Sequence, residues 1–206
     1  MNVLIVYAHP EPRSFNGALK DGAVAALSQA GHQVQVSDLY AMNFNPVVHP
    51  SEFPERANPD HFHLQREQRN AVLTGTVAPD VAAEHAKLIW ADLLIFQFPL
   101  WWGSMPAIMK GWIDRVFSVG TIYGRETYAI EGKKALLSVT LSGYPTYEEG
   151  AAHATMELHH VFNNMFALSK LEAVEPFYVL GIGQKEEAER AAVLQAFRER
   201  VLSLCQ

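Results

Sequence analysis

Val3-Leu4-Ile5-Val6-Tyr7-Ala8-His9-Pro10-Glu11-Pro12-Arg13-Ser14-Phe15-Asn16-Gly17 is the stretch from which the fold is read. An unbroken apolar run closed by turn residues has the pattern of a strand buried on both faces of a parallel sheet. From Gly17 to Gly31, Ala18, Leu19, Ala23, Ala26 and Leu27 recur at three- and four-residue steps, so a helix follows. A strand, a polar turn and a helix N-terminus bring free backbone N–H groups and the positive end of a helix dipole to one point, which suits an anion. Ser14 fits either a helix cap or a donor to a phosphate, and Arg13 adds charge. The loop has neither the G-x-G-x-x-G fingerprint nor the Walker lysine pattern, so hydroxyls and amides would hold the anion.

Working outward, five apolar runs alternate with helical segments. The runs are Val3–Ala8, Val34–Leu39, Leu93–Leu100, Ala135–Leu141 and Ala173–Leu180. Helices are expected over Ser14–Gln29, Pro79–Ala91, Pro106–Ser118, Glu148–Ser169 and Gln184–Leu204. Such alternation specifies an α/β fold, a three-layer sandwich with helices on both faces of a five-stranded parallel sheet. The expected order is 2-1-3-4-5, flavodoxin-like, with ligands at the carboxyl ends of the strands. No repeat or linker divides residues 1–206, which read as one domain. Residues 41–78 are rich in proline and asparagine and weak in periodicity, and read as a long irregular insertion.

The composition excludes several classes of function. A formal net charge of −6 argues against nonspecific nucleic-acid binding, which needs a basic surface. No apolar stretch approaches the ~20 residues of a transmembrane segment. The first residues lack a basic region and a cleavage site, so no secretion signal is expected. One cysteine, Cys205, permits no internal disulfide, which fits a cytoplasmic location, and its place beside the C-terminus reads as a frayed thiol. His49, His61 and His63 do not have metal-ligand spacing, and no metal is expected.

Two segments carry chemistry. The third strand runs into Pro99-Leu100-Trp101-Trp102-Gly103-Ser104-Met105-Pro106. Neighbouring side chains of extended chain point opposite ways, so both tryptophans cannot bury on one face. A stacked planar ligand or a subunit interface accounts for at least one ring. In the following helix Lys110, Asp114 and Arg115 read as the solvated side. The fourth strand opens into Thr140-Leu141-Ser142-Gly143-Tyr144-Pro145-Thr146-Tyr147, and His153 follows Tyr147 by six residues. A phenol and an imidazole near one another make a plausible proton relay, although by spacing alone a structural role is the commoner one for a lone Tyr and a lone His.

Together these motifs resemble the NAD(P)H:quinone oxidoreductases of the DT-diaphorase type, among the flavodoxin-like flavoproteins. The resemblance rests on Ala8-His9 with Ser14-Phe15-Asn16, on Ser37 through Pro46, and on Ala91-Asp92-Leu93. It continues through Phe96 to Leu100, Trp102, Pro106-Ala107-Ile108, Lys110-Gly111-Trp112 and Arg115-Val116-Phe117. It implies two-electron reduction of quinones by NAD(P)H through flavin N5, in ping-pong order. It implies that His9, Ser14, Phe15, Asn16 and Ala18 line the cofactor's phosphate side. Pro99, Leu100, Trp101, Trp102 and Gly103 would hold the isoalloxazine edge, and Thr140, Leu141, Ser142 and Gly143 would add contacts. Tyr147 and His153 match the family's catalytic pair. Tyr123 matches a tyrosine offered across the interface of a homodimer, and Trp102, Tyr123, Arg125 and His153 would face the quinone. The long 41–78 segment matches members that use FAD, with FMN the alternative cofactor.

The chain departs from the family at Gly103-Ser104, where an aromatic-glycine pair is usual, and at Trp101, usually polar. It also departs at Arg125, usually tyrosine, at Leu141-Ser142, usually glycines, and at Arg13, usually a hydroxyl residue. Other relatives suggest a regulatory flavoprotein subunit of a potassium-efflux transporter, a one-electron carrier, or a reductase of azo dyes and nitroaromatics.

Overall fold

The computed structural model describes residues 1–124 and 128–206. Four parallel strands form the body of its sheet: β1 (Asn2–Tyr7), β2 (Gln33–Asp38), β3 (Leu93–Pro99) and β4 (Lys134–Leu141). β1 pairs with β2 and β3, and β3 pairs with β4, all parallel. The helices between them are α1 (Phe15–Gln29), α2 (Leu64–Thr74), α3 (Pro79–Trp90), α4 (Ala107–Val116) and α5 (Tyr147–Glu157). After α5 come a π-helical turn (Val161–Phe166), a short helix α6 (Ala167–Ser169), the edge strands β5 (Glu172–Ala173) and β6 (Phe177–Leu180), and α7 (Glu187–Ser203).

The order 2-1-3-4-5 holds, with its fifth position filled by two short strands in place of one. Both pair with β4, but their registers differ by one residue: Ala135 faces Ala173, whereas Ser138 faces Phe177. The break falls at Val174-Glu175-Pro176, where proline cannot donate to the ladder, and the extra residue is a bulge. The other shared correction is at the helix expected over residues 148–169. It ends at Glu157, and the chain continues through the π-helical turn.

The pleat sorts the apolar residues into two cores. Leu4, Val6, Leu94, Phe96 and Phe98 pack with Val81, Leu88, Met109 and Trp112 of α3 and α4. Val3, Ile5, Tyr7, Leu93 and Ile95 pack with Leu19, Ala23 and Leu27 of α1 and Phe197 and Val201 of α7. Every residue of β3 is buried, as expected for a central strand covered on both faces. Cys205 is half-buried against the second core and is not frayed; burial pushes its thiol pKa up.

The 41–78 segment is more ordered than its composition suggests. It carries a 3-10 turn at Pro50–Glu52 and the helix α2. Arg115, expected on a solvated face, is instead buried where this segment meets α3 and α4. Its guanidinium donates to Glu52 Oε2 at 2.7 Å, Asp80 Oδ2 at 2.6 Å and the Asn45 carbonyl at 2.8 Å. The carboxylates repay its desolvation, a satisfaction that composition and periodicity cannot reveal.

Candidate functional site

The carboxyl ends of β1, β3, β4 and β6 converge on one edge of the sheet. Below β1, Ser14 caps α1: its Oγ accepts from Gly17 N at 3.1 Å and lies 3.5 Å from Tyr7 Oη. The first helical amides, Phe15 and Asn16, precede any intrahelical acceptor and remain for an anion. A Cβ on Gly17 would overlap the Pro12 carbonyl, so the turn closes tightly on the helix start. His9 accepts from Glu11 N at 3.0 Å, and its ring centroid lies 6.1 Å from that of Trp101. Two residues assigned to the site from separate motifs are therefore neighbours. Ala18 is the next residue of the same helical turn, and its amide is used by Ser14 O at 3.0 Å.

Asn16 does not offer its side chain to a ligand. Its amide is buried and turned toward the sheet, donating to Thr140 Oγ1 at 2.8 Å and accepting from Gln97 Nε2 at 2.8 Å. This bond pair ties α1 to β3 and β4. Gln97 Oε1 and Ser138 Oγ, on paired residues of β3 and β4, are buried and have no hydrogen-bond partner among the described residues.

A cavity of about 410 Å³ opens beside this tie. Pro99, Leu100, Trp101, Thr140, Leu141, Ser142 and Gly143 line it, as expected. Gly181, Ile182, Gly183 and Gln184 complete it from the end of β6. A Cβ on Gly181 would come within 3.3 Å of Gly143 Cα, and its φ of +60° favours glycine, so the two loops touch through glycines. The volume and loop-amide lining fit the edge of a planar heterocycle with carbonyl and imino groups.

The two tryptophans sit on a tight turn. Trp101 N donates to Ser104 O at 2.9 Å and Ser104 N to Trp101 O at 3.0 Å. Trp102 and Gly103 have φ of +50° and +69°, the two positive values of a type I′ turn. Left-handed backbone is unusual for a tryptophan and costs about 1–2 kcal/mol. Trp101 borders the cavity, whereas Trp102 is wholly exposed at the tip.

Thr146 caps α5, accepting from Glu149 N at 3.2 Å, so Tyr147 opens the helix as expected. Tyr147 and His153 are not joined by a hydrogen bond among the described residues. Tyr147 lines a second cavity, about 440 Å³, with Tyr178, Gln184 and Lys185, which meets the first at Gly143, Gly181 and Gln184. Burial first, then the charges of Glu175 and Glu148, raise its phenol pKa. The ring beside His153 is that of Tyr144, with centroids 5.2 Å apart at 35°.

Tyr123 lies in a third, largely apolar cavity of about 360 Å³ with Met105, Ile113, Phe117, Val161 and Met165. Its hydroxyl accepts from Gln65 Nε2 at 3.4 Å. Arg125 lies outside the described residues. Among the described residues no group of three His, Cys, Asp or Glu side chains is placed to hold a metal ion.

Sequence reasoning missed three contributors. Gly181-Ile182-Gly183-Gln184 was signalled by glycines directly after an apolar run, since parallel sheets bind ligands at strand carboxyl ends. Tyr144 gave no local signal, because a folded loop brings it to His153, and Glu157 was signalled only by its four-residue helical spacing from His153.

The profile of the Flavodoxin-like fold family matches residues 1–201, and the chain belongs to that family. Among its relatives is the rat NAD(P)H dehydrogenase (quinone) 1, 39% identical over 206 residues, spanning 96% of this chain and 75% of the relative. A solved structure from Klebsiella pneumoniae has a TM-score of 0.90 at 37% identity, covering 100% of this chain and 85% of that one. The NAD(P)H:quinone oxidoreductase from Methanothermobacter marburgensis has a TM-score of 0.78 at 27% identity, covering 100% and 98%.

Proposed function

We propose that this chain is an NAD(P)H-dependent quinone oxidoreductase that carries a flavin. The observation that carries this reading is the cavity between the Trp101 turn and the Thr140–Gly143 loop, at the carboxyl ends of β3, β4 and β6. A bound flavin supplies hydride exchange between a nicotinamide and a quinone. The residues supply the rest. Loop amides at Ser142 and Gly143 would bind ring carbonyls, and Trp101 would wall the ring edge. The start of α1, with Ser14, would hold the phosphate. His153 would offer an imidazole from α5 and Tyr147 a phenol from the adjoining cavity.

FAD is the proposed cofactor, on the strength of the long 41–78 segment held against α4. A homodimer is proposed because Tyr123 lies in a different cavity from the Trp101 turn, so that its service to a quinone requires a partner subunit. No described helix is long and apolar enough to cross a membrane, and a cytoplasmic site is proposed from the single cysteine.

The test is an absorbance spectrum of the flavin-loaded protein, followed anaerobically through addition of NADPH and then menadione. Bleaching of the flavin band and its recovery with the quinone, without a semiquinone signal, is the expected result. A bound flavin that NADPH and NADH leave oxidised would overturn the reading. Chromatography of the released cofactor distinguishes FAD from FMN, and light scattering gives the subunit number.

A further inference from the structure

His153 is held from two sides by residues outside the expected relay. The Tyr144 ring covers it on the loop side, 5.2 Å away between centroids, and is itself seated against α5 where a Cβ on Gly150 would lie 3.1 Å from Tyr144 Cδ2. On the other side, one helical turn on, Glu157 Oε1 lies 3.9 Å from His153 Nε2. That separation is longer than a hydrogen bond and becomes an ion pair only when the imidazole is protonated. Both side chains are about one-third exposed, so the contact is partly shielded from water.

The same carboxylate also reaches the turn that carries Trp101. A Cβ on Gly103 would overlap Glu157 Oε2, so the Glu157 side chain fills the space that any other residue at position 103 would need. Gly103 belongs to the turn that carries Trp101 and Trp102. Glu157 thus joins the two elements that carry aromatic and titratable groups of the site: the Trp101–Ser104 turn and the middle of α5. His160, beyond the end of α5, donates from Nδ1 to the Glu157 backbone carbonyl at 3.0 Å, and among the described residues no hydrogen bond joins it to the Glu157 carboxylate.

We propose that Glu157 is a positioning residue for the reaction, its carboxylate set beside the His153 imidazole and its side chain packing the Trp101–Ser104 turn through Gly103. This rests on the reading of the cavity as a flavin site. Glu157→Gln preserves the packing against Gly103 and removes the charge. It should leave flavin affinity within about twofold and slow flavin reduction by NAD(P)H about fivefold, the worth of a partly exposed charge pair. Combined with His153→Gln it should be no slower than His153→Gln alone, because the carboxylate acts through the imidazole. In the flavin-free full-length protein, Glu157→Gln should also move the ring ¹⁵N signals of His153.

Wild-type reduction rates in Glu157→Gln, or independent multiplication of the two substitutions, would overturn the proposal. Unmoved His153 signals would do the same. A wild-type protein that takes up no flavin would instead overturn the functional reading, and the imidazole signals would still decide the Glu157–His153 contact.

Discussion

Arg115 Nε donates to Glu52 Oε2 at 2.7 Å, and through this bond a helix of the sheet's outer layer grips a turn of the 41–78 segment. The grip is reinforced by Asp80 from α3 and by close packing, since a Cβ on Gly111 would overlap the Pro46 carbonyl. Arg115→Ala leaves Glu52 and Asp80 facing one another without their cation. Glu52 is mostly buried but Asp80 is half exposed and regains water, so the loss should be about 3 kcal/mol, at the low end for a broken buried ion pair. Urea unfolding measures it; a midpoint unchanged from wild type would show that the segment is held by other means.

His85 is buried, with Nε2 2.9 Å from the Val116 carbonyl and 3.1 Å from Ser118 Oγ. Burial lowers its pKa, more than the bond to Val116 and the charge of Glu84 raise it. The unfolded chain therefore binds the proton more readily. Stability should be complete above the ordinary histidine pKa of about 6.5 and should fall as the pH drops from there toward the lower folded value. Urea midpoints from pH 7.5 to 5 should show this slope, and His85→Gln should reduce it.

Asn16→Ala removes both bonds of the Gln97–Asn16–Thr140 tie and leaves Gln97 Nε2 buried without an acceptor. A stability loss of about 2 kcal/mol is expected. Flavin binding should also weaken, because the start of α1 loses its register against β4. Calorimetric titration of flavin at a temperature where the variant stays folded separates the two effects.

Trp102→Gly relieves left-handed backbone at an exposed position. Thermal denaturation should show a protein as stable as wild type or up to about 1 kcal/mol more so. The KM for quinone should rise, because the ring offers its faces to an acceptor or to a partner subunit. A stability loss would mean that the indole packs in the assembled protein and is not held there for substrate.

Tyr147→Phe with His153→Gln should slow flavin reduction while flavin remains bound. Stopped-flow traces that match wild type would remove both residues from the chemistry. The separation of the two side chains into different surroundings also predicts that the single substitutions differ, with His153→Gln the slower.

The sheet order, the Ser14 cap and two of the loops of the central cavity, Pro99–Trp101 and Thr140–Gly143, were legible in the chain, because each depends on local pattern: apolar runs, a capping hydroxyl, a turn after a strand. What failed to show depends on distant partners. Arg115 reads as solvated on a helical wheel until Glu52 and Asp80 are folded against it. Asn16 reads as a ligand contact until Gln97 and Thr140 are found beneath it. Pro176 splits the last strand, but the apolar residues on both sides read as one run and hid the split. Glu157 follows His153 at helical spacing, yet nothing in that spacing says that Gly103 makes room for it.

The tie from Gln97 through Asn16 to Thr140 makes the rim of the sheet a gauge of fixed span. The helix start proposed to receive a phosphate and the strand end proposed to receive a ring cannot drift apart without breaking a buried bond. A mononucleotide and a dinucleotide present the same distance between ring and first phosphate, so this gauge accepts both alike. Choosing between them falls to whatever meets the chain beyond that phosphate, and exchanging one cofactor for the other needs no change to residues 16, 97 or 140.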